Sequence, residues 1–134
     1  MGPVILDSSV MIAWLNPDDA HHARATQRLT ELSAAGHRFA VSAVGYSELM
    51  SNKRADRRAA IREVVDALGA DAVIPVDREI AERAGELRAR RPSLRTPDAL
   101  IAATAAVRGS GDLLTADRAM SRLEGAEYLG GRRR

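Results

Sequence analysis

Residues 4–15 read Val-Ile-Leu-Asp-Ser-Ser-Val-Met-Ile-Ala-Trp-Leu, and the fold of the whole chain is read outward from this stretch. Val4-Ile5-Leu6 is a short, unbroken apolar run of the kind buried on both faces of a parallel sheet. An acid follows it at once. Val10–Leu15 then reads as a short helix ended by Asn16-Pro17. A buried strand that passes through an acid into a helix is the opening of an α/β unit.

The alternation continues along the chain. Asp18 or Asp19 can start a second helix whose apolar positions Ala23, Leu29 and Leu32 lead to Gly36 at a C-terminal cap. Phe39–Ala43 is the second strand. A helix from about Val44 to Asn52 follows, and another over Asp56–Leu68 carries the apolar series Ala60, Ile61, Val64, Val65 and Leu68. Val73–Val76 is the third strand, and Asp77 caps a helix over Arg78–Arg90 that stops at Pro92. Thr96-Pro97 opens the helix Asp98–Val107, with proline at the first helical position. Leu113–Thr115 is the fourth strand, and a short helix after Asp117 and a last strand at Glu127–Leu129 follow it. Strands alternating with helices predict a mainly parallel sheet of four to five strands. With 134 residues and no internal repeat or linker, one domain over 1–134 is expected.

Composition narrows the chemistry. Cysteine is absent, which excludes disulfides, Cys-ligated zinc and thiol nucleophiles. No apolar stretch approaches the roughly 18 residues that span a bilayer, and the N-terminus lacks the basic region of a signal peptide. A cytoplasmic protein with no membrane attachment is therefore expected. The net charge of +2 conceals local contrast: Arg54, Arg57, Arg58 and Arg62 cluster, as do Arg88, Arg90, Arg91 and Arg95, and Arg132–Arg134 form a basic tail. Guanidinium groups pair bidentately with phosphate, so these clusters would suit a phosphate-backbone substrate. Arg57 and Arg58 alternate with Asp56 and Glu63, however, and read first as a solvated helix face.

Four acids stand at element ends: Asp7, Glu48, Asp98 and Asp117. In an open α/β sheet, ligands collect outside the carboxyl ends of the strands, and acids at strand ends and the following helix starts can converge there. Four unpaired carboxylates in one cleft repel, and hard divalent cations such as Mg²⁺ or Mn²⁺ remove that repulsion because they take oxygen ligands. The acids also have plainer readings. Asp7 and Asp117 can be helix caps. Asp98 lies in a first turn that favours an anion through the helix dipole. Glu48 is the exception: it sits among apolar neighbours and not on a plainly charged face, which reads as an inward glutamate, and an inward glutamate needs a partner. His21-His22 read as a solvated helix start, and Met11 with Trp14 as core or dimer surface.

Taken in order, Val-Ile-Leu-Asp-Ser-Ser-Val, Ser-Ala-Val-Gly-Tyr-Ser-Glu-Leu, Arg-Thr-Pro-Asp-Ala-Leu-Ile-Ala-Ala-Thr-Ala and Leu-Leu-Thr-Ala-Asp-Arg resemble the motifs of PIN-domain ribonucleases, and within them of VapC-type toxins of toxin–antitoxin pairs. The resemblance covers nearly the whole chain and implies a three-layer α/β/α fold. Carried over by position, the family's acidic quartet falls on Asp7, Glu48, Asp98 and Asp117, with Ser9 a hydroxyl neighbour of the metal. It implies Mg²⁺- or Mn²⁺-dependent hydrolysis of RNA, a homodimer, and inhibition by a VapB-like antitoxin. Region 54–68 matches no motif, so nothing is carried over there.

Other classes fit less well. A haloacid-dehalogenase-type phosphatase wants an acid two places after its nucleophile, where this chain has Ser9, and a receiver domain wants a late lysine, whereas the one lysine is Lys53. No Gly-x-x-x-x-Gly-Lys-Ser/Thr loop occurs. The remaining alternative is an inert module of the same fold that holds RNA or protein, with the acids serving as caps.

Overall fold

The computed structural model describes residues 2–130; the basic tail Arg132–Arg134 lies outside them. Five strands form one parallel sheet: β1 (Val4–Leu6), β2 (Phe39–Ser42), β3 (Val73–Ile74), β4 (Leu113–Thr115) and β5 (Ala126–Tyr128), in the order β3-β2-β1-β4-β5. Six helices accompany them: α1 (Ser8–Leu15), α2 (His22–Ala34), α3 (Ala43–Met50), α4 (Ala55–Leu68), α5 (Arg78–Arg90) and α6 (Thr96–Val107), with a 3₁₀ turn at Arg118–Met120.

The strand period of two divides the apolar residues between two cores. Val4, Leu6, Val41 and Leu114 face α1, α2 and α4 through Met11, Leu29, Ile61 and Val65. Ile5, Ala40 and Leu113 face the opposite way, onto Ile80 and Ala84 of α5 and Ala99, Ile101 and Ala103 of α6. The result is three layers, as the sequence pattern implies. Ile5, Leu6, Leu113 and Leu114 are each no more than 1% exposed. Each such side chain contributes on the order of 1.5–3 kcal/mol, so the central pair β1 and β4 anchors the sheet.

Strand order decides where a site can form. From β1 the chain moves outward through β2 to β3, then crosses back over the sheet to β4 and β5. The direction of winding reverses between β1 and β4. Loops at the carboxyl ends of these two neighbours part there, and that is where open α/β sheets leave a crevice. Asp7 follows β1, and Ala116-Asp117 follow β4.

The boundaries differ from expectation in instructive places. Helix α2 begins at His22 and not after Asp18 or Asp19, because the Asp19 carboxylate accepts the His21 N–H at 2.8 Å and closes a turn. Its buried face is Ala25 and Leu29, while Ala23 is exposed. Strand β3 stops at Ile74, before Pro75, which has no N–H to give a ladder, and Val76 is 37% exposed. Helix α6 starts two residues early, at Thr96, so Pro97 is its second residue. The last strand lies one residue earlier than read, at Ala126–Tyr128. Asp77 caps α5 as expected, accepting from Ile80 N–H at 2.9 Å. Gly36 takes a left-handed φ of 91° just past α2. No helix among the described residues is long and apolar enough to cross a membrane.

Candidate active site

Asp7 is 4% exposed at the end of β1. It occupies the N-cap position of α1, yet its side chain makes no capping bond. Its Oδ2 instead accepts from Ser9 Oγ at 2.6 Å and from Thr115 Oγ1 at 2.9 Å. The capping explanation for this acid therefore fails. The two hydroxyls are themselves fixed, because Ser9 Oγ accepts from Ala116 N–H and Thr115 Oγ1 accepts from Asp117 N–H. Each hydroxyl has one proton, and both point it at Asp7. This network joins the β1–α1 turn to the turn after β4 and keeps the buried carboxylate hydrogen-bonded, as a buried charge requires.

Asp98, in the first turn of α6, is half-buried. Burial raises its carboxyl above the usual range, and the charges of Asp117 and Asp7 push it further; Arg95 opposes them and Glu48 adds a smaller push. All three of the other acids thus act on Asp98. The four predicted residues share one electrostatic neighbourhood although they come from four separate segments.

Asp117 is half-buried and caps the 3₁₀ turn, accepting from Ala119 N–H at 2.9 Å. For this acid the cap reading holds alongside its influence on Asp98. Glu48 corrects an expectation: it is exposed on α3, not turned into the core. Its partner is Ser8, whose Oγ donates to Glu48 Oε1 at 3.0 Å. Of the two serines after Asp7, one serves Asp7 and the other Glu48. Helix α1 packs on α3, so the acid of one strand-helix unit is tied to the hydroxyl of another.

Thr115 was missed by sequence reasoning. It is fully buried at the end of an otherwise aliphatic strand, and a lone hydroxyl ending Leu-Leu-Thr before an acid was the available signal. The histidines are half-buried, not solvated: His22 Nδ1 lies 2.8 Å from Ala13 O and ties α2 to α1. Met11 is fully buried, and Trp14 packs partly buried beside it. Arg54 pairs with Asp56, and Arg58 bonds Asn52 O, so this cluster is a helix-surface arrangement. Arg88 braces the α5–α6 loop by donating to Leu94 O at 2.9 Å.

Among the described residues, no three His, Asp or Glu side chains already stand in a metal-holding arrangement. The donor chemistry nevertheless fits a hard divalent cation. Every acid offers carboxylate oxygen, and the ionised form of Asp98 is opposed by its like-charged neighbours, which a cation would relieve.

A PIN domain model matches residues 4–126. The chain belongs to the PIN-domain family. Solved structures similar to this PIN domain include a toxin–antitoxin complex from Klebsiella pneumoniae, at 24% identity and a TM-score of 0.73 over 95% of this chain and 98% of that one. Others are DNA-bound VapBC from Salmonella typhimurium, at 22% and 0.68 over 97% and 100%, and VapBC2 from Rickettsia felis with a promoter DNA fragment, at 18% and 0.71 over 93% and 97%. At these identities the likeness speaks for the fold. No curated relative matches the PIN domain by sequence.

Proposed function

We propose that this PIN domain, acting as one domain over 1–134, is a Mg²⁺- or Mn²⁺-dependent endoribonuclease and the VapC-like toxin of a toxin–antitoxin pair. What supports the reading is that Asp7, Glu48 and Asp117 each act electrostatically on Asp98, with Asp7 and Asp117 following the two strands at the winding reversal of the sheet. Asp7 and Asp98 would be the main metal ligands, with Glu48 and Asp117 completing the shell directly or through water. A bound cation of this kind lowers the pKa of a water, orients it and neutralises charge on the phosphate oxygens.

The chain's own residues prepare that chemistry. Ser9 and Thr115 both donate to Oδ2 of Asp7, which fixes the position of that carboxylate, and Oδ1 is the oxygen we assign to a ligand. Ser8 orients Glu48. The Asp117 cap fixes that carboxylate against the 3₁₀ turn. Helices α1 and α2 are the surfaces we assign to a homodimer partner or a VapB-like antitoxin; Ile12 on α1 is 49% exposed. The similarity to toxin–antitoxin complexes supports such a partner.

The test is cleavage of total bacterial RNA by the purified chain, with Mg²⁺ or Mn²⁺ against EDTA, alongside Asp7→Asn. Discrete fragments that require both the cation and Asp7 are expected. Equal cleavage by Asp7→Asn, or none by folded wild type supplied with metal, rejects the proposal.

A further inference from the structure

A cleft of about 750 Å³ opens beside Asp98, between the α5–α6 loop and the 3₁₀ turn that follows Asp117. Five arginines line it, Arg90, Arg91, Arg95, Arg118 and Arg122, and Asp98 is its one carboxylate. All five are exposed, and none is in an ion pair with a carboxylate among the described residues. That separates them from Arg28, Arg54, Arg78 and Arg108, each of which is paired.

The cleft is braced. Leu94 and Leu123 are 8% and 6% exposed and pin its two walls to the core, and Arg91 Nη2 donates to Arg122 O at 3.4 Å across them. The Arg118 guanidinium lies 6.0 Å from the Tyr128 ring centre, a cation–π distance that limits where it can go. Unpaired guanidinium groups on a fixed surface recognise phosphate well, because little ordering is needed when the anion arrives.

We propose that this cleft is a one-sided grip for the phosphate backbone of single-stranded RNA, holding the strand on the α6 side of the acidic centre and leaving the α4 arginines out of the contact. The proposal rests on RNA as the substrate class and names the residues that bind it. An extended strand entering the cleft meets Arg90, Arg91 and Arg122 along its length and reaches Asp98 beside Arg95. The grip reads charge and backbone geometry and is indifferent to base identity.

The experiment is equilibrium binding of a fluorescent oligouridylate to the full chain in EDTA across a salt series, with circular dichroism as the check on folding. The paired variant Arg95→Gln/Arg118→Gln should bind about tenfold or more weakly and flatten the plot of log affinity against log salt by roughly 1.4, from about 0.7 per phosphate contact on a single strand. Arg95→Lys/Arg118→Lys should restore most of the slope. Arg57→Gln/Arg62→Gln on α4 should change affinity less than about twofold. Unchanged RNA binding by the Gln pair overturns the grip, even if the parent chain cleaves RNA with metal. Loss of binding in the Gln pair alone upholds it, even if the parent never cleaves. Tighter binding of an oligoglutamate than of the oligouridylate, abolished by the same pair, would overturn it by assigning the cleft to an acidic protein segment.

Discussion

The acidic centre has two unlike halves. On the β1–β4 side, Asp7 is buried and held by hydroxyls that are themselves held by backbone N–H groups. On the helix side, Glu48 is exposed with one serine partner, and Asp98 is half-buried among like charges. The first half is built before any ligand comes. The second consists of groups whose repulsion a ligand would relieve. A site of this kind is anchored at Asp7, with Asp117 held by its cap, and adjustable at Glu48 and Asp98.

The sharpest way to break that contrast is Asp7→Asn. In the proposed nuclease this would remove a metal ligand and with it several kcal/mol of charge stabilisation, so cleavage should fall by at least about a hundredfold while the circular dichroism spectrum stays native. Next is Thr115→Val, which keeps shape but deletes a donor to Asp7 and the acceptor of Asp117 N–H. Urea denaturation should show a loss of about 1–3 kcal/mol, and the cleavage rate should drop on the order of 10–100-fold. An unaltered unfolding curve would mean the hydroxyl network does not anchor the site. Glu48→Gln on the adjustable side should leave stability within about 0.5 kcal/mol and lower the rate less than Thr115→Val does. A larger loss from Glu48→Gln would reverse the assignment of the halves.

The smallest effect concerns pH. Because the carboxyl of Asp98 is raised, the metal-free folded chain keeps its proton at pH values where the unfolded chain has released it. Its contribution to stability therefore falls as pH rises from the ordinary aspartate value of about 3.9 through the raised folded value. Asp98→Asn should melt slightly higher than the parent at neutral pH without metal, with the gap closing as the buffer nears about pH 4. A gap that widens on acidification would contradict the repulsion described for this acid.

Much of this was legible in the chain. Val4-Ile5-Leu6 and Leu113-Leu114 are apolar runs, and both lie in buried sheet strands. Asp7 and Asp98 were marked by position, at a strand end and a helix start. What escaped was contact across sequence. Thr115 bonds Asp7 from 108 residues away, and Ser8 reaches Glu48 across 40. Glu48 reads as inward because its sequence neighbours are apolar, whereas on α3 it is exposed beside the buried Leu49 and meets Ser8 of α1. Arg118 and Arg122 drew no notice because their clustering with Arg90–Arg95 exists only once the 3₁₀ turn lies against the α5–α6 loop. Helix α2 was started too early because an aspartate that closes a turn looks, in sequence, like one that caps a helix.

The bond between Thr115 and Asp7 also has a meaning in time. Strand β1 is made first but sits mid-sheet, and it lacks one neighbour until β4 has been synthesised and has inserted beside it. A chain still growing through α5 or α6 can fold helices, yet it has neither the hydroxyl that anchors Asp7 nor Asp117. The four acids and the hydroxyls that hold Asp7 therefore come together only after residue 117 has been added, and a nascent or prematurely ended chain lacks the arrangement.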